Sequence, residues 1–194
     1  MKILIVYCHP SDQSFTGAVK NEFIRGLKES KHQYHLLDLY ACNFNETFSE
    51  HEYLREAFYN QNINILNDIK HYQKLINQSD ALVFIYPVFW GEAPSKLVGW
   101  FQRVWTYGFA YGENRQMQEL KKVLMLVTMG GDLEEPIRQK EVAAMKTIML
   151  ENRIGDRALK KEMIIFDRMS RDYVNRDNNF NSNLKKVYQI ARNF

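Results

Sequence analysis

Short apolar runs recur along the chain, separated by longer segments of mixed polarity. Each run is nearly continuous rather than alternating, which is typical of strands that helices cover on both faces. Four runs are clear, and a fifth, QYHLLDLY, is weaker. The runs span residues 3–8 (ILIVYC), 33–40 (QYHLLDLY), 81–87 (ALVFIYP), 123–129 (VLMLVTM) and 162–169 (EMIIFDRM). The pattern therefore predicts five parallel strands joined by crossover connections.

The intervening segments have the period of amphipathic helices. Apolar residues recur at spacings of three and four from Phe15 to Leu27 and from Leu66 to Ile76. Pro94 is expected at the first position of a third helix, since proline lacks the N–H that this position leaves unbonded. A fourth helix is predicted over about residues 135–152, and a fifth after residue 178.

Five strands alternating with five helices predict an α/β fold with a three-layer, doubly wound parallel sheet, because parallel strands need helical crossovers of one hand. For five such units we expect the strand order 2-1-3-4-5. No linker interrupts residues 1–194, so we expect a single domain. The polar stretch 41–60 is long for a loop, and we expect it either to carry a short helix or to cover the functional site.

The composition narrows the functional classes without selecting one. The 26 basic and 23 acidic residues give a net charge of +3 spread along the chain, which is too balanced for nucleic-acid binding. The two cysteines, Cys8 and Cys42, have no metal-binding spacing, so we expect no metal and a reducing, cytoplasmic environment. No apolar run approaches the ~18 residues of a membrane span, and the first residues lack a signal-peptide pattern, so we expect no membrane insertion.

Ligands of open parallel sheets bind beyond the carboxyl ends of the strands, where three segments should converge: HPSDQSFT, PVFWGEAPS and TMGGDLEE. In the first, Ser14, Phe15 and Thr16 lie at a predicted helix N-terminus, where free amides and the helix dipole favour a phosphate. Ser14 is either a phosphate ligand or an N-cap. His9 is either a further phosphate ligand or an exposed turn histidine. This segment alone leaves both pairs of alternatives open.

The other two segments suit a flat ligand. Phe89 and Trp90 follow a buried strand, and they either close the core or flank such a ligand. Gly130 and Gly131 let the backbone approach a ligand closely, because no Cβ intervenes. A flavin would explain all three segments, with its phosphate at the first, its ring against the second and its polar edge at the third. Neither GxGxxG nor GxxxxGKS/T, the loops that hold dinucleotides and nucleoside triphosphates, occurs.

Several motifs occur in register with those of a known family. They are HP followed by SFT, then the block YPVFWGEAPSKLVGWFQRVWTYGFAYG, then TMGG. The chain resembles the NAD(P)H:quinone oxidoreductase family of flavodoxin-like flavoproteins, which includes DT-diaphorase-like enzymes and bacterial potassium-efflux ancillary proteins. The resemblance covers roughly residues 1–131 and fades beyond them.

The resemblance implies an NAD(P)H dehydrogenase (quinone) that passes hydride from reduced nicotinamide through bound flavin to a quinone-like acceptor by a ping-pong mechanism. It implies FMN, with FAD as the alternative. It also implies a homodimer in which Phe109 and Tyr111 lie over the flavin of the partner subunit and, with Trp90, bind substrate. The implied flavin-binding residues are His9, Ser14, Phe15, Thr16, Pro87, Val88, Phe89, Trp90, Thr128, Met129, Gly130 and Gly131.

One feature of the family is missing. Its larger members place a tyrosine and a histidine shortly after the glycine pair, where they are thought to stabilise reduced flavin, but neither residue type occurs between Asp132 and Lys161. The catalytic residues are therefore left unassigned. Two other functions stay open, a flavodoxin-type electron carrier and a flavin-binding regulatory subunit of a cation-efflux system. The net basic charge and the absence of glycine from HPSDQSFT argue against the carrier.

Overall fold

A computed structural model of the protein describes residues 1–194 and contains one five-stranded sheet. The sheet has the order β2-β1-β3-β4-β5, and every neighbouring pair is parallel. The predicted fold class and strand order are therefore confirmed. The last strand ends at Phe166 rather than at residue 169. The strands are β1 (Lys2–Tyr7), β2 (Gln33–Asp38), β3 (Ala81–Pro87), β4 (Lys122–Thr128) and β5 (Lys161–Phe166).

Six α-helices connect the strands or follow them. They are α1 (Phe15–Glu29), α2 (Glu50–Ala57), α3 (Asn67–Asn77), α4 (Ser95–Val104), α5 (Pro136–Lys146) and α6 (Arg176–Arg192). The stretch 41–60 carries α2, so the first of its two alternatives is correct. Pro94 caps α4 instead of opening it, and α5 continues as a π-helical segment, Thr147–Ile154, that the periodicity did not predict. None of the helices combines the length and the hydropathy that crossing a bilayer requires.

Both faces of the sheet are buried, which explains why the strands appear as continuous apolar runs. In β1, Leu4 and Val6 belong to the hydrophobic cluster that includes residues of α3 and α4. Ile3 and Ile5 belong to a second cluster, on the other face, that includes residues of α1 and α6. All seven residues of β3, the central strand, are buried. Ligand groups are therefore expected at the ends of the strands and not on the faces of the sheet.

Buried charges hold α2 to the body of the protein. Arg103 of α4 is only 4% exposed, and its Nε donates to Glu52 Oε1 of α2 over 2.6 Å. Its Nη2 lies 3.2 Å from Asp68 Oδ2 of α3, and its Nη1 donates to the carbonyl of Asn45. Ser49 and Glu52 also form a capping box at the start of α2. One guanidinium thus fixes α2 against both α3 and α4.

Candidate functional site

Three loops lie side by side at the carboxyl edge of the sheet, because β1, β3 and β4 are adjacent and parallel. We call them loop 1 (residues 8–14), loop 3 (residues 88–94) and loop 4 (residues 129–135), after the strands that they follow. Val88 N at the start of loop 3 donates to Thr128 O at the end of β4 over 2.8 Å. The hydroxyls of Thr16 and Thr128 share a buried hydrogen bond of 2.7 Å. The fold therefore brings the three segments together.

At the start of α1 the side chains bond or pack within the protein, whereas two backbone amides have no hydrogen-bond acceptor. Ser14 is the N-cap: its Oγ accepts from Gly17 N at 3.0 Å and donates to Ser11 O at 2.9 Å. The Phe15 ring is buried. The amides of Phe15 and Thr16, by contrast, donate to no acceptor in the protein. An anion at this point would therefore meet backbone amides and the positive end of the helix dipole.

His9 is half-buried next to loop 3, with its ring centroid 6.4 Å from that of Phe89. Its Nδ1 accepts a hydrogen bond from Ser11 N at 2.9 Å. The proton of the neutral ring therefore lies on Nε2, which is free to donate. Burial lowers the pKa of His9 below its ordinary value. The fold thus holds His9 as a neutral hydrogen-bond donor between loop 1 and loop 3.

Trp90 lies at the tip of a tight turn in loop 3 and is fully exposed. Phe89 and Glu92 exchange two backbone hydrogen bonds, of 2.8 and 3.1 Å. Between them, Trp90 and Gly91 have φ values of +54° and +76°, the pattern of a type I′ turn. A left-handed conformation costs tryptophan about 1–2 kcal/mol. Phe89 is exposed as well, so the alternative that these rings close the core is wrong.

Loop 4 presents three successive backbone amides. The carbonyls of residues 129–131 accept hydrogen bonds of 2.9 to 3.3 Å from the backbone of residues 168–170, which follow β5. All peptides are trans, and in a trans peptide the N–H points away from the C=O. The amides of Gly130, Gly131 and Asp132 therefore point away from residues 168–170, and none of them has an acceptor in the protein. Successive free amides of this kind make an anion-binding concavity.

Two side chains that hold loop 4 in place had no recognisable signal in the sequence. Arg168 Nη2 donates to Asp132 Oδ1 at 2.9 Å, and Tyr173 Oη donates to Asp132 Oδ2 at 2.8 Å. Chiefly through its hydrogen bond, Arg168 lowers the pKa of Asp132 to about 2. Arg168 lies inside the run EMIIFDRM, all of which the sequence pattern predicts to be strand. In the structure β5 ends at Phe166, and Arg168 has a φ of +58°.

Phe109 and Tyr111 lie in the turn that follows α4. Phe109 is 5% exposed and packs in the core of its own chain. Tyr111 is half-buried, and its hydroxyl donates to Glu56 Oε2 at 2.7 Å; burial and this hydrogen bond raise its pKa. Neither residue makes a hydrogen bond or an aromatic contact to loops 1, 3 or 4. A role at a flavin would therefore require a second subunit, and Tyr111 is the one with accessible surface.

A family model described as the flavodoxin-like fold matches residues 1–152, which is most of the chain. The chain belongs to this family. A solved member, the NAD(P)H:quinone oxidoreductase from Methanothermobacter marburgensis, is 34% identical with a TM-score of 0.91, and the match covers 100% of this chain and 95% of that one. An uncharacterised NAD(P)H oxidoreductase of Haemophilus influenzae is 33% identical over 140 residues, 70% of this chain and 67% of the relative. The resemblance drawn from the motifs is thereby confirmed.

More distant solved structures share the fold alone. The FMN-dependent NADH-azoreductase from Bacillus anthracis, solved in complex with FMN, is 17% identical with a TM-score of 0.71, and the match covers 98% of this chain and 97% of that one. Among curated proteins, the chain spans 58% and 65% of the lengths of the first two relatives that it matches. The family match ends at residue 152, before β5 and the residues that brace loop 4.

Proposed function

We propose that the protein is a flavin-dependent oxidoreductase that uses NADH or NADPH to reduce a quinone-like acceptor. The observation that carries the proposal is the presence of two sets of free amides at one sheet edge, in residues 15–16 and 130–132. Backbone amides normally have acceptors, so two such sets suit a ligand with two acceptor groups, as a flavin nucleotide has. The relative from M. marburgensis supports NAD(P)H and quinones as the substrate classes.

Each loop has a distinct part in holding the flavin. The amides of Phe15 and Thr16 would bind the phosphate, with His9 Nε2 as a further donor. The backbone of Pro87 to Trp90 would lie beside the ring, and the amides of loop 4 would face its polar edge. The Ser14 hydroxyl both donates and accepts within the protein, and one of the Thr16 and Thr128 hydroxyls donates to the other. At most one of these three hydroxyls can therefore donate to a ligand, so most donors of the site are backbone groups. FMN is preferred over FAD, because the chain length and the F-A-Y-G segment resemble the smaller bacterial members.

The bound flavin would supply the redox chemistry, accepting a hydride from reduced nicotinamide and passing two electrons to the acceptor. The chain's own residues position the reactants. The exposed rings of Phe89 and Trp90 would flank a flat nicotinamide or quinone. The amides of Gly130, Gly131 and Asp132 would stabilise the negative charge that develops at N1 and C2=O of the flavin on reduction. Both substrates would use one pocket in turn. The oxidised nicotinamide would therefore have to leave before the acceptor binds, which is a ping-pong mechanism.

Steady-state kinetics test this function. With NADH or NADPH varied at several fixed concentrations of a soluble quinone, we expect flavin-loaded protein to give parallel double-reciprocal lines. Intersecting lines that persist across several acceptors would contradict the shared pocket. Failure of flavin-loaded protein to oxidise either nicotinamide in the presence of quinones would contradict the proposed activity itself.

We also propose that the protein is a homodimer, with α2 and the turn after α4 at the interface. Glu56 Oε2 accepts hydrogen bonds from Tyr107 N and Tyr111 Oη, both at 2.7 Å. Arg55 Nη2 donates to Tyr107 O at 3.0 Å, so α2 and the turn form one surface. Five large apolar side chains are exposed on α2 and in the loop that follows it, and a second copy would bury them. They are Tyr53, Leu54, Phe58, Tyr59 and Leu66.

Substitution of Phe58 tests this interface. Phe58 is 70% exposed, so Phe58→Asp should leave the fold intact while placing an unpaired carboxylate in the interface. We expect the dissociation constant of the dimer to rise at least about tenfold, measured by analytical ultracentrifugation. Val174, 77% exposed in the loop between β5 and α6, gives the matched control Val174→Asp, which should remain dimeric. A monomeric parent protein, or equal dimerisation of the two variants, would contradict the proposal.

We further propose that residues 1–194 form one flavin-binding domain that works in the cytoplasm. Both hydrophobic clusters lie on the same sheet, and the second, which extends from Ile3 to Ala191, includes residues from near both ends of the chain. Cys8 and Cys42 are free thiols, which fits a reducing compartment.

A further inference from the structure

The loop between β5 and α6 holds loop 4 by both its backbone and its side chains. The backbone hydrogen bonds of residues 168–170 turn the three free amides of loop 4 away from β5. Arg168 adds the hydrogen bond to Asp132 and lies 2.7 Å from Glu134 Oε1, and Asp167 Oδ2 accepts from Leu133 N at 3.0 Å. The direction of the amides therefore depends on this second loop, to which the sequence assigned no role.

The charged side chains that join loop 4 to the loop between β5 and α6 carry no net positive charge. Arg168 faces three carboxylates, those of Asp132, Glu134 and Asp167. The other cation beside loop 4, Arg138, lies against Gly131 and pairs with Glu135 and Glu141. Tyr173, the other donor to Asp132, is neutral at physiological pH, and its hydrogen bond to Asp132 raises its pKa further above the ordinary value of 10.0. Arg168 therefore offsets negative charge next to the free amides instead of supplying an excess positive charge.

We propose that Arg168 is a positioning residue that raises the reduction potential of the bound flavin, by fixing the amides of loop 4 and by neutralising Asp132. The inference rests on the proposed function. It gives the loop between β5 and α6 a part in stabilising reduced flavin. The geometry points to Arg168 because it contacts loop 4 at three residues, through its backbone N–H on Gly131 O and through its guanidinium on Asp132 and Glu134.

Removal of the guanidinium has a defined electrostatic consequence. The ordinary pKa of an aspartate is 3.8, so Asp132 stays ionised at neutral pH without Arg168. Its unpaired carboxylate would then lie on the residue that supplies the third free amide. Reduced flavin carries more negative charge than oxidised flavin at the edge that these amides face. Loss of Arg168 should therefore weaken binding of reduced flavin more than binding of oxidised flavin.

The test is the midpoint potential of bound FMN, measured anaerobically by equilibration with redox dyes, together with the dissociation constant of oxidised FMN. For Arg168→Met we expect the affinity for reduced FMN to fall about tenfold relative to that for oxidised FMN, a shift of about 30 mV to more negative potential for a two-electron couple. Arg171→Met is the matched control, since Arg171 is exposed and has no ion pair, and it should leave the potential unchanged.

Two further variants separate charge from general damage to the fold. Asp132→Asn in the Arg168→Met background removes the unpaired carboxylate and should restore most of the potential. Tyr173→Phe removes one hydroxyl and should shift the potential in the same direction by a smaller amount. Equal potentials for Arg168→Met and Arg171→Met would overturn the role of Arg168. No recovery in the double variant would overturn the neutralisation of Asp132 as its cause. A parent protein that binds no flavin would instead overturn the proposed function.

Discussion

Replacement of Arg103 by methionine is expected to lower the free energy of unfolding by about 3–5 kcal/mol, because it leaves a buried carboxylate without a cationic partner. Arg103 is 4% exposed, and it joins Glu52, Asp68 and the Asn45 carbonyl through one guanidinium. Glu52 itself is buried. The loss should therefore be measurable by urea denaturation and should loosen α2 first.

Two comparisons make the test of Arg103 specific. Glu52→Gln in the Arg103→Met background removes the unpaired charge and should recover part of the lost stability. Arg115→Met breaks an ion pair of 2.6 Å with the well-exposed Asp156, and it should cost less than about 1 kcal/mol. A loss for Arg103→Met no larger than that for Arg115→Met would show that the buried network does not hold α2.

Gly17→Ala is expected to weaken FMN binding by about 10- to 100-fold. A Cβ at Gly17 would lie 2.5 Å from the backbone oxygen of Asp12, and backbone cannot give way as a flexible side chain can. The backbone shift that relieves such overpacking typically costs 1–3 kcal/mol. If FMN binding requires the unshifted backbone, this cost corresponds to the expected loss of affinity. Since loop 1 would have to move away from the start of α1, the phosphate position should be lost. Fluorescence titration of FMN into apoprotein measures the effect.

Gly26→Ala provides a matched control on the same helix. A Cβ at Gly26 would lie 2.6 Å from Ala191 Cβ and 2.7 Å from Tyr188 O of α6, so it also clashes, but far from the proposed site. This variant should lose stability while the folded protein keeps its affinity for FMN. If the two variants bind FMN equally well, the start of α1 is not the phosphate site.

The sheet could be predicted from the sequence because burial on both faces leaves a continuous apolar run for each strand. The adjacency of loops 1, 3 and 4 followed from the strand order. The ends of the strands and helices were harder to predict. Arg168 lies within an apolar run, and no local pattern shows that β5 stops two residues before it. Contacts such as that of Arg168 with Asp132, or of Glu56 with Tyr111, join residues far apart in sequence, and periodicity contains no information about them.

The chemistry of the site was predicted at the level of loops and not of atoms. Ser14 and Thr16 were candidates because of their hydroxyls, yet in the structure both hydroxyls are bonded within the protein. The donors that are free in either direction of the Thr16–Thr128 hydrogen bond are the backbone amides of Phe15 and Thr16, and every residue type except proline has one. The helix-capping pattern of the residues therefore indicated the correct segment. Which donors in that segment are free could be determined only from the hydrogen bonds of the folded protein.

Reconstitution with flavin is the most direct test of the central claim, that this sheet edge is a flavin site. The purified chain is incubated with FMN or, separately, with FAD, freed of excess ligand, and examined by visible absorption spectroscopy and chromatography of the released cofactor. We predict a yellow protein with one flavin per chain and with FMN as the cofactor bound more tightly. A colourless protein that neither flavin reconstitutes would contradict the account.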